Sequence, residues 1–201
     1  MSWQCKGLTK MGKRELKGGA LVAPVPAVMV SCGSKERPNI ITIAWCGITN
    51  TVPPKTYISI RPERYSYDII KQSGEFVINL VPKTLTRSAD FCGMYTGKRV
   101  NKFEKCSLTP IDSRHVNAPT IEESPINIEC RVTDIIPLGS HDMFLADIVG
   151  VCVDERLMEG DKLCINRAHL CAFAHGEYYE LSSRIGKFGF SVKKKKPANK
   201  K

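Results

Sequence analysis

The sequence predicts a mainly β chain folded as an antiparallel barrel with short helices. Three observations carry that prediction. Period-two alternation of large apolar with small or polar residues recurs along the chain, which sorts side chains onto the two faces of strands. The helical stretches are brief and no strand–helix–strand rhythm repeats, so a doubly wound parallel sheet does not fit. An apolar content of 42% over 201 residues, with no composition break before the tail, gives one domain over 1–192 with a sizeable core.

The elements follow in order. "KRELKGGALVAPVPAVMVSCG" (13–33) has lysines, an apolar stretch and Cys32, in the manner of a lipoprotein leader. Pro24 and Pro26 interrupt the apolar stretch, and Met29 sits where a cleavage site needs a different residue, so the leader reading is set aside. "IITIAWC" (40–46) is a strand with Ile41, Ile43 and Trp45 on a core face and Thr42, Ala44 and Cys46 on a small face. "ITNTVPP" (48–54) then reads as a polar loop, because Pro53 and Pro54 bar the strand from continuing. "TYISIR" (56–61) is half-buried, and a short helix over 66–73 stops at Gly74. "EFVINLV" (75–81) is a strand, and a second short helix over 84–92 is expected to end at Gly93. "INIECRVTD" (126–134) alternates cleanly, and "PLGSHD" (137–142) supplies the turn of a hairpin. "MFLADIVGVCV" (143–153) is apolar on both faces, as for a strand between a core and a second layer or subunit.

The formal net charge of +10 resembles a nucleic-acid signature until it is located. "KKKKPANKK" (193–201) holds six lysines, which leaves +4 for everything before it. That run reads as a solvated, disordered tail, and nucleic acid is not the expected partner. The nine cysteines are odd in number and several lie inside strands, which fits a reducing, cytoplasmic setting better than a disulfide framework. No metal-ligand spacing occurs, and no stretch reaches the ~18 apolar residues of a membrane span.

Neither a P-loop nor a strand-to-helix GxGxxG is present, so a phosphate site must be assembled otherwise. Two groups are available. In "RPERYSYDII" (61–70), Arg61, Arg64 and Ser66 precede a helix whose first N–H groups lack partners, an arrangement that suits an anion. In "TGKRVNKF" (96–103), Lys98, Arg99 and Lys102 flank a glycine loop. Solvated charge and a capped surface helix are the alternatives. Trp45, Cys46 and Gly47 sit where free backbone groups and an aromatic could meet a planar heterocycle, while Trp45 as a plain core residue is the other reading. His141 occupies the hairpin turn, as a functional group or as its cap. A Cys–His nucleophile pair has no local signature.

In their order and spacing, "NIITIAWCG", "ISIRPERYSYDII", "GEFVINLV", "CGMYTGKRVNKFE" and "GSHDMFLADIVGV" resemble the flavin reductase-like family of FMN-binding split barrels, its flavoredoxin branch in particular. The resemblance covers roughly residues 20 to 175. It implies a six-stranded Greek-key split β-barrel, a homodimer, and FMN held without a covalent bond near the subunit interface. The FMN phosphate would then be held by Ser66 and the helix start, with Arg64, Lys98 and Lys102 close by. Asn39, Thr42, Ala44, Trp45, Cys46, Gly47, Thr49, Asn50 and Thr51 would line the isoalloxazine. Phe173 would cover it, and His141 would stand by the flavin and, in the reductase branch, near the nicotinamide, as the supporting catalytic residue. Gly-Ser-His replaces the family's Gly-Asp-His at 139–141, which weakens the implication of nicotinamide binding more than that of FMN.

The function so implied is an NAD(P)H-dependent flavin or ferric reductase, with NADH or NADPH as donor. The alternative is a flavoredoxin-type electron carrier whose resident FMN is reduced by a protein such as a ferredoxin. In both, the flavin performs the hydride or electron step, and the protein sets its orientation and potential.

Overall fold

The computed structural model describes residues 12–181 and 183–192; Cys5 and the lysine run 193–201 lie outside the described residues. Seven strands form one antiparallel sheet: β1 (Val28–Gly33), β2 (Pro38–Ile43), β3 (Cys46–Thr51), β4 (Pro54–Ile60), β5 (Glu75–Leu80), β6 (Ile126–Pro137) and β7 (Asp142–Val153). Their order across the sheet is β2-β1-β5-β6-β7-β4-β3. The two outermost strands, β2 and β3, are consecutive in sequence, so the sheet curls until its edges meet at Ala44 and Trp45. Counting the bent run 38–51 as one strand gives the six strands of a split barrel.

The barrel interior holds Val28, Val30, Ile41, Ile43, Ile58, Ile60, Phe76, Ile78, Cys130 and Phe144, capped by Tyr67 and Ile70 of α1 (Tyr65–Ser73). Outside the sheet, Met29, Ile40, Val81, Ala89, Cys92 and Phe103 form a second cluster with α2 (Thr86–Met94) and α3 (Lys102–Lys105). β1 is therefore covered on both faces. Its sequence lacks alternation for that reason, and the leader-like stretch at 28–33 is a central strand.

Three further expectations are corrected. The prolines at 53 and 54 do not end the sheet: Val52 and Pro53 form a hairpin turn, and Pro54 opens β4 opposite Thr51, at the first position of a strand, where proline is tolerated. The Asn50 side chain donates to the Pro53 carbonyl at 2.9 Å and fastens that turn. Gly93 lies inside the last turn of α2, which runs on to Met94. Trp45 is not a core residue, because the corner at 44–45 resets the alternation and leaves it 39% exposed.

Other expectations hold. α1 ends at Gly74, which takes the left-handed conformation that favours glycine and donates its N–H to the Ile70 carbonyl at 2.8 Å. The β6–β7 hairpin turns at Gly139, with φ +98°, and Leu138 N–H bonds the His141 carbonyl at 2.9 Å. No helix among the described residues is long and apolar enough to cross a membrane.

Candidate functional site

A cavity of about 520 Å3 opens where the β2–β3 corner, the start of α1 and the loop before α3 converge. Ile41–Trp45 form one wall, Ser59–Arg61 and Glu63–Ser66 a second, and Tyr95–Gly97 with Lys102 a third, while His141 stands at its edge. The volume falls in the ~300–1,000 Å3 range of small-molecule sites.

One end of the cavity is built from buried polar groups, with the exposed Arg64 beside them. Ser66 is 2% exposed, and its Oγ accepts a hydrogen bond from Asn39 Nδ2 at 2.7 Å. With one lone pair engaged, the Ser66 hydroxyl keeps its proton for a ligand. Arg64 precedes the first turn of α1, which has no side-chain cap; Tyr67 N–H donates to the Arg64 carbonyl at 2.9 Å, and the N–H groups of Tyr65 and Ser66 lead the helix. Gly97 lets its loop lie directly on Asn39: a Cβ there would stand 1.9 Å from Asn39 Oδ1.

Lys102 is the most informative residue of the site. It is 4% exposed, and its Nζ donates to the Ile40 carbonyl at 2.6 Å and the Cys92 carbonyl at 2.7 Å. Those two bonds leave one N–H, and no carboxylate among the described residues pairs with it. Burial, with the Arg64 guanidinium as a further cause, lowers its amine to about 8. Burying an ammonium without a counter-ion is costly unless something negative arrives. Arg61 is different, being tied to Glu63 at 3.6 Å on the rim. The residues present therefore fit the phosphate and planar ring of a flavin nucleotide, with cation and hydroxyl at one end and Trp45 at the other.

Of the sequence-derived candidates, Thr42, Ala44, Trp45, Arg64, Ser66, Lys102 and His141 line this cavity, and Asn39 backs it through Ser66. Thr42 lends its hydroxyl to the Ala89 carbonyl rather than to the cavity. Cys46 faces an adjoining space, and Gly47 lies under the Tyr57 ring, 3.1 Å from its Cε1 at the position a Cβ would take. Thr49, Asn50 and Thr51 run out along the exposed hairpin, away from the cavity. Lys98 is exposed beside it, and Phe173 instead packs edge-on against Tyr178, with ring centres 5.3 Å apart.

Reading the sequence missed Ser59, Tyr65, Tyr95 and Gly97 as wall residues. Only Gly97, within the glycine loop already singled out, carried a signal. Burial pushes the thiols of Cys46 and Cys92 up to about 12, so those beside the cavities stay protonated and provide no activated nucleophile. Among the described residues no cluster of three or more His, Cys, Asp or Glu could hold a metal ion.

The chain belongs to the flavin reductase like domain family, whose pattern it matches over residues 22–182. It is similar in structure to the flavoredoxin of Desulfovibrio vulgaris (Miyazaki F), with a TM-score of 0.84 and 33% identity over 90% of this chain and 100% of that one. The flavoredoxin of Methanosarcina acetivorans shares the fold at a TM-score of 0.82 and 21% identity, over 91% of this chain and all of that one. An NADPH-flavin oxidoreductase of Streptomyces viridifaciens is 26% identical over 140 residues, 68% of this chain and 70% of that protein.

Proposed function

We propose that the cavity holds FMN and that the protein is an NAD(P)H-dependent flavin or ferric reductase. The observation that carries the cofactor is the buried, unneutralised Lys102 beside Arg64, Ser66 and the uncapped start of α1. A flavin without the 5′-phosphate would leave that charge uncompensated. Ser66 donates to the phosphate, while Arg64 and Lys102 supply its counter-charge. Thr42–Trp45 and His141 flank the ring. Bound FMN supplies hydride and single-electron chemistry, and the side chains bind, orient and tune it. His141, its Nδ1 3.0 Å from Ser140 Oγ, is a supporting group at the ring edge.

A second reading, a flavoredoxin-type carrier reduced by an acidic ferredoxin-like protein, draws on the 33% identity to a flavoredoxin. A homodimer is part of the proposal. Ile48 at 78% exposure, Val52 on the same hairpin and Val151 on β7 are large apolar side chains that a second copy would cover. A cytoplasmic setting is likewise proposed, supported by eight described cysteines that are all free.

The experiment is an anaerobic visible spectrum of the FMN-loaded, desalted protein before and after NADH and then NADPH. Bleaching of a retained flavin band supports the reductase. A retained band that neither nucleotide bleaches contradicts it and favours the carrier.

A further inference from the structure

Two cysteines stand on either side of Lys102. Cys92, fully buried in α2, and Cys106, half-buried at the end of α3, bring their Sγ atoms to 3.9 Å, the one thiol–thiol hydrogen-bond contact among the described residues. Both are tied to the same lysine. Lys102 Nζ donates to the Cys92 carbonyl at 2.7 Å, and Cys106 N–H donates to the Lys102 carbonyl at 3.1 Å. The stretch between them, 92–106, supplies Tyr95, Thr96, Gly97 and Lys102, the third wall of the cavity.

We propose that Cys92 and Cys106 form a reversible disulfide site whose closure draws Lys102 away from the phosphate end of the cavity. The effect on the ligand rests on the FMN reading, whereas the disulfide itself does not. A disulfide holds its sulfurs at about 2.05 Å, so the pair must close by about 2 Å. Cys92 is fixed in the cluster that contains Met29, Ile40 and Ala89. α3 is a four-residue helix beside a glycine loop, so it is the element that gives, and it carries Lys102.

The oxidant is a peroxide. Cys106, the more exposed thiol, attacks one oxygen of hydrogen peroxide; the O–O bond breaks, the sulfur is oxidised to the sulfenic acid, and a water leaves. The Cys92 sulfur then displaces the remaining oxygen from Cys106. The S–S bond forms as the S–O bond breaks, and the Cys92 proton departs with the hydroxide as a second water. Dithiothreitol reverses the step by thiol–disulfide exchange.

The test treats the full-length, flavin-free protein with hydrogen peroxide and weighs its tryptic fragments. Cleavage after Arg87, Lys98, Lys105 and Arg114 frees 88–98 and 106–114, each with a single cysteine, so the linked pair has its own mass. That mass is expected, and the disulfide form should bind FMN roughly tenfold or more weakly in a fluorescence titration, with recovery in dithiothreitol. By linkage, FMN should raise the thiol-to-disulfide ratio in a dithiothreitol redox buffer by the same factor. Cys106→Ser, a near-isosteric change at a half-buried position, should bind FMN as the untreated protein does and lose nothing on peroxide treatment.

Absence of the linked mass, or a disulfide form that binds FMN as tightly as the thiol form, overturns the proposal. So does a peroxide-induced loss that persists in Cys106→Ser, since other oxidised groups would then be responsible. Failure of the untreated, reduced protein to bind FMN would overturn the cofactor reading instead, and the linked mass would still decide whether the disulfide site exists.

Discussion

The two ends of the first cavity are built on opposite plans. At the phosphate end, Asn39, Ser66 and Lys102 are buried and already hydrogen-bonded to one another or to the backbone. At the ring end, Trp45 is exposed and His141 half-exposed, and the neighbouring hairpin leaves Thr49–Thr51 in solvent. The buried end meets its ordering and desolvation costs during folding, so a phosphate entering it finds its donors in place. The open end leaves room for a second molecule, and its contacts are correspondingly cheap to alter. Affinity should therefore reside at the phosphate end, and selection of the reaction partner at the ring end.

The largest effect that would sharpen this contrast is expected from Lys102→Met. Removing one partner of a desolvated charge pair typically costs 2–5 kcal/mol, so FMN affinity should fall by about that amount in a fluorescence titration. Unchanged affinity would break the comparison. Gly97→Ala comes next, because its Cβ would displace Asn39 from Ser66. A loss of about 1–3 kcal/mol is expected, with a shift in the melting temperature of the flavin-free protein as a second readout. Ser66→Ala removes only the hydroxyl and should lower FMN affinity by roughly 1–2 kcal/mol. His141→Asn, at the open end, should leave FMN affinity within about 0.5 kcal/mol and alter only turnover, as measured by flavin bleaching with NADH.

The pH response provides a further test at the buried end. In the folded, flavin-free protein the Lys102 amine titrates near 8, against about 10.5 when unfolded. Between those values the unfolded chain binds more protons, so the stability of the flavin-free protein should rise with pH across that window. Binding of an anion needs the charged amine, so FMN affinity should fall as pH rises beyond about 8. Lys102→Met should flatten both profiles, as followed by thermal melts and titrations.

The sequence was legible at its turns and helix ends: the Gly139 turn carries its own chemistry, and α1 stops where Gly74 allows. β6 alternates in sequence, yet Asn127 and Glu129 on its polar face are buried as well. The sequence was misleading where both faces are covered, since β1 shows no alternation and resembles a leader. It also misled at the β3–β4 hairpin, because a proline pair reads as a stop unless the second proline opens the next strand. Lys102 was legible as a cation but not as a buried one: a lysine in a basic loop reads as solvated, and only α3 turns its amine toward the Ile40 and Cys92 carbonyls. The space adjoining the cavity beside Cys46 had no local signature, since its walls come from four separated stretches of chain.

The most direct test of the central claim is a paired titration of the flavin-free protein with FMN and with riboflavin, which lacks the phosphate, repeated on Lys102→Met. The account predicts that FMN binds at least about a hundredfold more tightly than riboflavin, as expected for roughly 3 kcal/mol of phosphate contacts, and that the substitution removes most of that difference. Equal affinities for the two flavins in the unaltered protein would contradict it.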